Sequence, residues 1–158
     1  MPAPPIVDPS TIDFSQTAYD IEAVRAINKQ RFEMEQLTAV VSMDLEQRII
    51  VAYKDVTDDE FWVRGHIPGR PLMPGVVMCE VAAQMASFLL YHLLEKKPEF
   101  IGFGGMDTVR FRGQVAPGDR FVIVGKTQIV TPRLSKLQAQ GFVGTKMVFE
   151  GIILGIPV

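Results

Sequence analysis

The chain has 158 residues, of which 47% are hydrophobic and 22% charged, so it can form one globular domain with a sizeable core. With 16 Lys and Arg against 18 Asp and Glu, the formal net charge is −2, which gives no electrostatic reason to expect nucleic acid or an anionic membrane as partner. The one cysteine cannot form an intrachain disulfide and no secretory signal pattern is present, so we expect a cytoplasmic protein.

Residues 1–16 are predicted to form an N-terminal arm, extended or poorly ordered, because prolines are frequent and periodicity is weak. The rest, residues 17–158, is predicted to be a single domain. Apolar residues recur at helical spacing over residues 17–31 and predict a short amphipathic helix. Residues 37–56 are rich in β-branched side chains on both sides of the polar stretch Asp-Leu-Glu-Gln, which predicts two antiparallel strands and a turn.

A long helix is predicted to begin at Pro74-Gly75 and to end before Pro98, since no helix breaker lies between them. Its apolar side chains point all round the helical wheel, so protein should surround it on most sides. The apolar run is nevertheless too interrupted for a membrane span, by Glu80, Gln84, Ser87 and His92. This segment is therefore predicted to be the core helix of the domain.

The C-terminal part is predicted to be strands, over residues 100–115, 120–130 and 135–156. The glycine-rich residues 102–105 indicate a bulge or a close approach of the backbone to another group. One long helix preceded and followed by strands predicts an α+β fold, in which a curved antiparallel sheet wraps around the helix.

Candidate chemistry lies in the stretch GHIPGRPLMPGVVMCE, residues 65–80. His66 is a candidate proton-transfer residue, although a structural histidine is the usual alternative. Glu80 lies in an apolar run, where a carboxyl group tends to keep its proton, as a general acid must. The free N–H groups at the helix start near Gly75 suit an oxygen that becomes negative, although plain helix initiation also explains the Pro-Gly pair. Together these groups suit proton abstraction next to a carbonyl.

Metal binding is disfavoured, because His66, Cys79 and His92 match no zinc spacing. Cys79 is also a poor candidate nucleophile, since it neighbours Glu80 on the helix and points about 100° away from it. A buried structural thiol is the default interpretation.

The stretch GHIPGRPLMPGVVMCEVAAQ resembles the active-site signature of the 3-hydroxyacyl-acyl-carrier-protein dehydratases, the FabZ and FabA family. A second stretch, VRFRGQVAPGDRF at residues 109–121, resembles the strand-turn-strand segment of the same family. The resemblance extends over roughly residues 21–154 and implies a hot-dog fold, with the sheet around the helix, and a homodimer. It leaves open whether three dimers assemble further.

The resemblance also implies the reaction: reversible dehydration of a (3R)-3-hydroxyacyl thioester to the trans-2-enoyl thioester in fatty-acid biosynthesis, with acyl carrier protein as partner and no metal or organic cofactor. His66 of one subunit and Glu80 of the other would share each site. His66 would take the proton at C2, and Glu80 would protonate or position the departing hydroxyl. The N–H groups of Gly75 and Val76 would hold the thioester oxygen. Glutamate rather than aspartate at this position favours the FabZ side of the family.

Further residues follow from the same resemblance. Gln84, one turn beyond Glu80, would hold the carboxylate by a hydrogen bond. Arginines in the second stretch are weak candidates for carrier docking, since solvated charges on a strand face are the more usual explanation: Arg110, Arg112 and Arg120. The chain departs from the family pattern over residues 30–37 and at Ile67, where phenylalanine is usual, so its acyl-chain preference is open.

Two other functions remain compatible with the sequence. One is a hot-dog thioesterase, or a hydratase acting on coenzyme A thioesters. The other is a non-catalytic hot-dog subunit that pairs with a different chain. Retention of both His66 and Glu80 favours the dehydratase over each of them.

Overall fold

The computed structural model describes all residues, 1–158. It contains one long helix, α2 (Gly75–Leu93), and a short one, α1 (Ile21–Arg25), with 3₁₀ turns at Pro9–Thr11 and Phe32–Met34. The strands are β1 (Ala39–Asp44), β2 (Ile49–Asp55), β3 (Ile101–Phe111), β4 (Arg120–Val130), β5 (Ser135–Val143) and β6 (Lys146–Pro157). All neighbours pair antiparallel in one sheet, in the order β1-β2-β4-β5-β6-β3.

The inner face of the sheet packs on α2 and forms the main core. Alternate residues of β2 and β4 point to the helix, among them Ile50, Ala52, Phe121 and Ile123. By length and composition α2 is apolar enough to cross a membrane, but 61% of its most apolar window is buried inside the domain. It is therefore the core helix, and the predicted α+β hot-dog architecture is confirmed.

The helix predicted over residues 17–31 is much shorter, and only α1 forms. The reason lies at its C-terminal end, where the Arg31 guanidinium donates hydrogen bonds to the carbonyls of Arg25 (3.0 Å) and Asn28 (2.9 Å). Continuing the helix would place backbone N–H groups at those carbonyls instead. A helix this short depends on tertiary contacts, which periodicity does not report.

The single strand predicted over residues 135–156 is a two-strand hairpin. β5 and β6 are joined by Gly144 and Thr145, with Gly144 at φ = +58°, a turn conformation that glycine adopts readily. The predicted irregularity at residues 102–105 is confirmed, since the β3–β6 register shifts between Phe103 and Gly105. The predicted turn between β1 and β2 is also present.

Residues 1–16 lie along the outer face of the sheet. Gln140 on β5, fully buried, accepts a hydrogen bond from Ile6 N (2.8 Å) and donates one to Pro4 O (2.9 Å). Apolar side chains of the arm pack on the outer-face cluster of β1, β2, β4 and β5: Ile6, Val7, Ile12 and Phe14. The arm therefore covers apolar surface on the side of the sheet opposite α2.

Candidate active site

His66 is exposed in the loop between β2 and α2, residues 56–74, here called the histidine loop, and hydrogen bonds hold it on both sides. His66 N donates to Trp62 O at 2.8 Å, and Leu72 N donates to His66 O at 2.8 Å. The ring nitrogen Nδ1 lies 2.8 Å from Leu72 O. Because a carbonyl oxygen only accepts, Nδ1 carries the proton, and Nε2 of the neutral ring is left unprotonated. His66 thus presents a base.

The N-terminus of α2 lies beside this base. Pro74 is the N-cap residue and provides no side-chain cap. The N–H groups of Gly75 and Val76 make no hydrogen bond within the protein. Free N–H groups at the positive end of a helix dipole stabilise an oxygen that gains negative charge.

One open cleft of about 420 Å³ brings these groups together. Its lining includes His66, Leu72, Gly75, Val76 and Phe111. A Cβ atom at residue 75 would lie 2.8 Å from Phe111 Cζ, so only glycine lets the phenyl ring of β3 approach the start of α2 this closely. The cleft therefore has an apolar wall, a base and two free N–H donors.

Glu80 and Gln84 form a separate group, one turn apart on α2. Gln84 Nε2 donates to Glu80 Oε1 at 2.7 Å, which is the hydrogen bond that the i+4 spacing predicts. Gln84 is itself buried and also bonds the chain ahead of β1, donating to Met34 O (2.6 Å) and accepting from Gln36 N (2.9 Å). The carboxylate of Glu80 is thus held in one orientation by a fixed amide.

Within one chain the structure does not bring His66 and Glu80 into the same cleft. Glu80 is absent from the lining of the cleft around His66. It lies five residues beyond Gly75, which turns it about 140° around the helix axis. Glu80 shares a helix face with Val76, Ala83 and Ser87, and this face is less buried than the rest of α2.

The arginines of the second motif differ in their availability. Arg112 pairs with Glu150 at 2.9 Å, and this ion pair lowers the pKa of the Glu150 carboxyl. Arg120 bonds both Asp55 oxygens, at 2.7 and 3.0 Å, and stacks over the Tyr53 ring at 4.0 Å. Arg110 is exposed, and its guanidinium bonds only its neighbour's carbonyl, Val109 O. Arg112 and Arg120 are therefore engaged within the domain, whereas Arg110 is accessible.

The other candidates from the sequence, Cys79 and His92, do not line the cleft. Cys79 is buried in the core, and burial raises the pKa of its thiol, which leaves it a weak nucleophile. His92 packs against Phe88 and Tyr19, and its Nδ1 bonds Phe88 O at 2.8 Å. No group of three or more His, Cys, Asp or Glu side chains is arranged to hold a metal ion.

Three features of the site were missed by the sequence reasoning. Phe111 forms the cleft wall, Arg64 and Arg70 are exposed on the histidine loop, and a buried Lys54–Glu60 ion pair lies at the base of that loop. Arg64 directly precedes the motif and Arg70 lies within it, so both were visible in the sequence as charges near His66. Nothing local indicates that Lys54 and Glu60 meet, since their contact depends on how the chain turns after β2.

The fold and the site together define the class of the protein: a hot-dog domain that presents a histidine base beside a free helix N-terminus. A family model described as a FabA-like domain matches residues 28–152. The chain is 36% identical over 137 residues to the 3-hydroxyacyl-acyl-carrier-protein dehydratase FabZ of Moorella thermoacetica, covering 85% of this chain and 94% of that protein. The enzyme of the same name from Chlamydia trachomatis is 35% identical over 133 residues, covering 83% and 87%. This chain belongs to the FabA-like family.

Solved structures with low sequence identity share the fold. The dehydratase heterocomplex ApeI:P from Xenorhabdus doucetiae matches with a TM-score of 0.69 at 13% identity, covering 85% of this chain and 90% of that one. A sigma28-regulated virulence protein from Campylobacter jejuni matches with a TM-score of 0.65 at 17% identity, covering 92% and 95%. At these identities the likeness supports the architecture alone.

Proposed function

We propose that this chain catalyses the reversible dehydration of (3R)-3-hydroxyacyl-acyl-carrier-protein to the trans-2-enoyl thioester in fatty-acid biosynthesis, as a cytoplasmic enzyme. The observation that carries the proposal is the cleft in which the unprotonated Nε2 of His66 accompanies the free N–H groups of Gly75 and Val76. The names of its curated relatives support the same reaction and carrier.

The reaction uses proton transfers that these side chains can supply, without a metal or organic cofactor. His66 Nε2 takes the proton from C2, and the electron pair moves onto the thioester oxygen, which the N–H groups of Gly75 and Val76 stabilise. When that pair returns, the C2–C3 double bond forms and the C3–O bond breaks. Glu80 gives its proton to the departing hydroxyl, so water leaves. Proton transfer through solvent from His66 to Glu80 then restores both groups.

Each active site in this proposal is shared by two copies of the chain. Glu80 is absent from the lining of the cleft that contains His66, which supports a site completed by Glu80 of a second copy. Several apolar side chains near the two groups are exposed, with Val76 75%, Phe111 52% and Ile67 52% accessible. Burial of such side chains would favour association.

The edge of the sheet also supports a homodimer. β3 is an edge strand of 11 residues, and its second neighbour position is empty. A long edge with unpaired backbone groups and an exposed apolar side chain, Phe103, favours pairing with another strand. The same edge of a second copy is the simplest partner, because isologous contacts close into a dimer.

The test of the proposed activity measures the hydration of a trans-2-enoyl-acyl-carrier-protein by the purified wild-type protein. We expect hydration to the 3-hydroxyacyl product, seen as loss of enoyl absorbance, with no release of free thiol in the same sample. Thiol release without hydration would instead identify a thioesterase. Activity that appears only after a second hot-dog chain is added would identify a partner subunit.

Carrier docking is expected to use the exposed arginines of the histidine loop. Arg64 makes no ion pair, and the Arg70 guanidinium bonds only Gln114 Oε1 at 3.2 Å, so both can meet the acidic surface of a carrier protein. Arg64→Glu with Arg70→Glu should raise KM for the carrier-bound substrate about tenfold, as expected for the loss of surface charge complementarity. The measurement is steady-state kinetics at low salt.

The matched substrate is the same acyl group on pantetheine, for which KM should not change, because it lacks the carrier surface. Arg133→Glu is the control variant, since Arg133 is exposed in the turn between β4 and β5. An equal rise of KM for both substrates would place the arginines at the thioester rather than at the carrier.

A further inference from the structure

The first part of the histidine loop, residues 57–65, is connected to the rest of the domain by one polar contact. Residues 57–65 make hydrogen bonds among themselves and to His66. Glu60 Oε2, for example, accepts from Thr57 N (2.9 Å) and Thr57 Oγ1 (3.1 Å). The link to the sheet is the other carboxylate oxygen, Glu60 Oε1, which lies 2.9 Å from Lys54 Nζ on β2.

This is the most buried ion pair of the protein, with both side chains only 10% exposed. Such pairs add little to stability, because the loss of hydration offsets the attraction, and apolar residues of similar size often serve as well. What such a pair contributes here is a preference for one position, because a displaced Glu60 would leave the Lys54 charge without its partner. Stability alone therefore does not account for this pair.

A short chain of contacts connects Glu60 to the base. Glu60 O accepts from Val63 N at 3.1 Å, and Trp62 O accepts from both Gly65 N (3.2 Å) and His66 N (2.8 Å). The indole of Trp62 is buried, yet its Nε1 has no hydrogen-bond partner, so packing alone holds the ring. A shift of Glu60 would consequently move the backbone that orients His66.

We propose that Lys54 and Glu60 are positioning residues for His66, which they hold through residues 60–66 at the distance that proton transfer needs. The inference rests on the proposed function. Neither residue lines the cleft, so both act through the loop and not on the substrate. A displacement of about 1 Å at a reacting group is enough to cost about 100-fold in rate.

The test compares Glu60→Gln, Lys54→Met and the double variant. Each single change leaves the remaining charged side chain of the pair without its partner and should lower Tm. The double variant keeps an acceptor for Thr57 but removes both charges, so its Tm should return toward the wild-type value. We expect its kcat for enoyl hydration to stay about 100-fold low, with KM changed less than about twofold.

A second readout does not depend on activity. Trp62 is the sole tryptophan, so its fluorescence reports the position of the loop directly. In the double variant the emission should shift to longer wavelength, because the loosened ring meets water. Asp55→Asn is the control: this neighbour of Lys54 bonds Arg120 on the other face of β2, so its loss should leave emission and kcat unchanged.

Two outcomes overturn the inference. One is a double variant with wild-type kcat and emission, which would leave the pair a structural contact only. The other is a loss of kcat with no change in emission, which would mean that the loop does not move. If the wild type itself lacks hydration activity, the proposed function fails, and the emission spectra still decide whether the pair holds the loop.

Discussion

Mixing the His66→Ala and Glu80→Gln variants is expected to restore activity that neither variant has alone. Each variant removes a proton-transfer group and should lower kcat by about 10²- to 10⁴-fold. In a mixed dimer with shared sites, one site carries both changes and the other carries neither. Equal mixing makes half of the dimers mixed, so about a quarter of the wild-type activity should return.

The experiment requires that the subunits exchange, which differently tagged copies refolded together would ensure. Hydration of trans-2-enoyl-acyl-carrier-protein is measured before and after mixing, with size-exclusion chromatography to establish the oligomeric state. Each variant refolded with itself is the control. Mixed dimers that remain inactive would contradict the shared site and would require His66 and Glu80 of one chain to act together.

Removal of residues 1–16 is expected to destabilise the domain without changing its chemistry. The arm covers outer-face side chains that would otherwise meet water, including Val41, Val51 and Phe142. Four partly buried apolar side chains of the arm would be lost, at roughly 1 kcal/mol each, so the free energy of unfolding should fall by about 3–5 kcal/mol. Thermal unfolding followed by circular dichroism measures the change.

Point variants test whether the packing of individual side chains of the arm stabilises the domain. Phe14→Ala removes a ring that packs edge-to-face against Tyr53 (centroids 5.9 Å apart) and should lower Tm, whereas Gln16→Ala, at an exposed position, should not. Hydration kcat at low temperature should be unchanged in the truncated protein, because the arm packs on the face opposite α2 and none of its residues lines the cleft. A truncated protein with wild-type Tm would mean that the arm contributes no packing energy.

Much of the fold could be predicted because its signals are local. The start of α2 follows from Pro74-Gly75, and its burial follows from apolar residues on all sides of the wheel. The strands follow from β-branched composition and from turns rich in glycine and proline. Where local signals are short or competing, prediction failed: α1 ends early because Arg31 bonds the carbonyl of its last residue, Arg25, and the Gly144 turn was overlooked within one apolar stretch.

Some features of the candidate site could likewise be predicted from local sequence, and others could not. The sequence by itself determined which groups are present, since His66, Glu80 and the helix start at Gly75 lie within one motif of recognisable spacing. It also predicted the hydrogen bond from Gln84 to Glu80, because residues four apart on a helix are neighbours.

Only the tertiary structure decided how those groups are arranged. It sets the protonated nitrogen of His66 through Leu72 O, leaves Glu80 outside the cleft around His66, and connects the histidine loop to β2 through Lys54. It also occupies Arg112 and Arg120 in ion pairs inside the domain. Each of these contacts joins segments whose relative position is set by the packing of the whole sheet on α2, so no local pattern of residues encodes it.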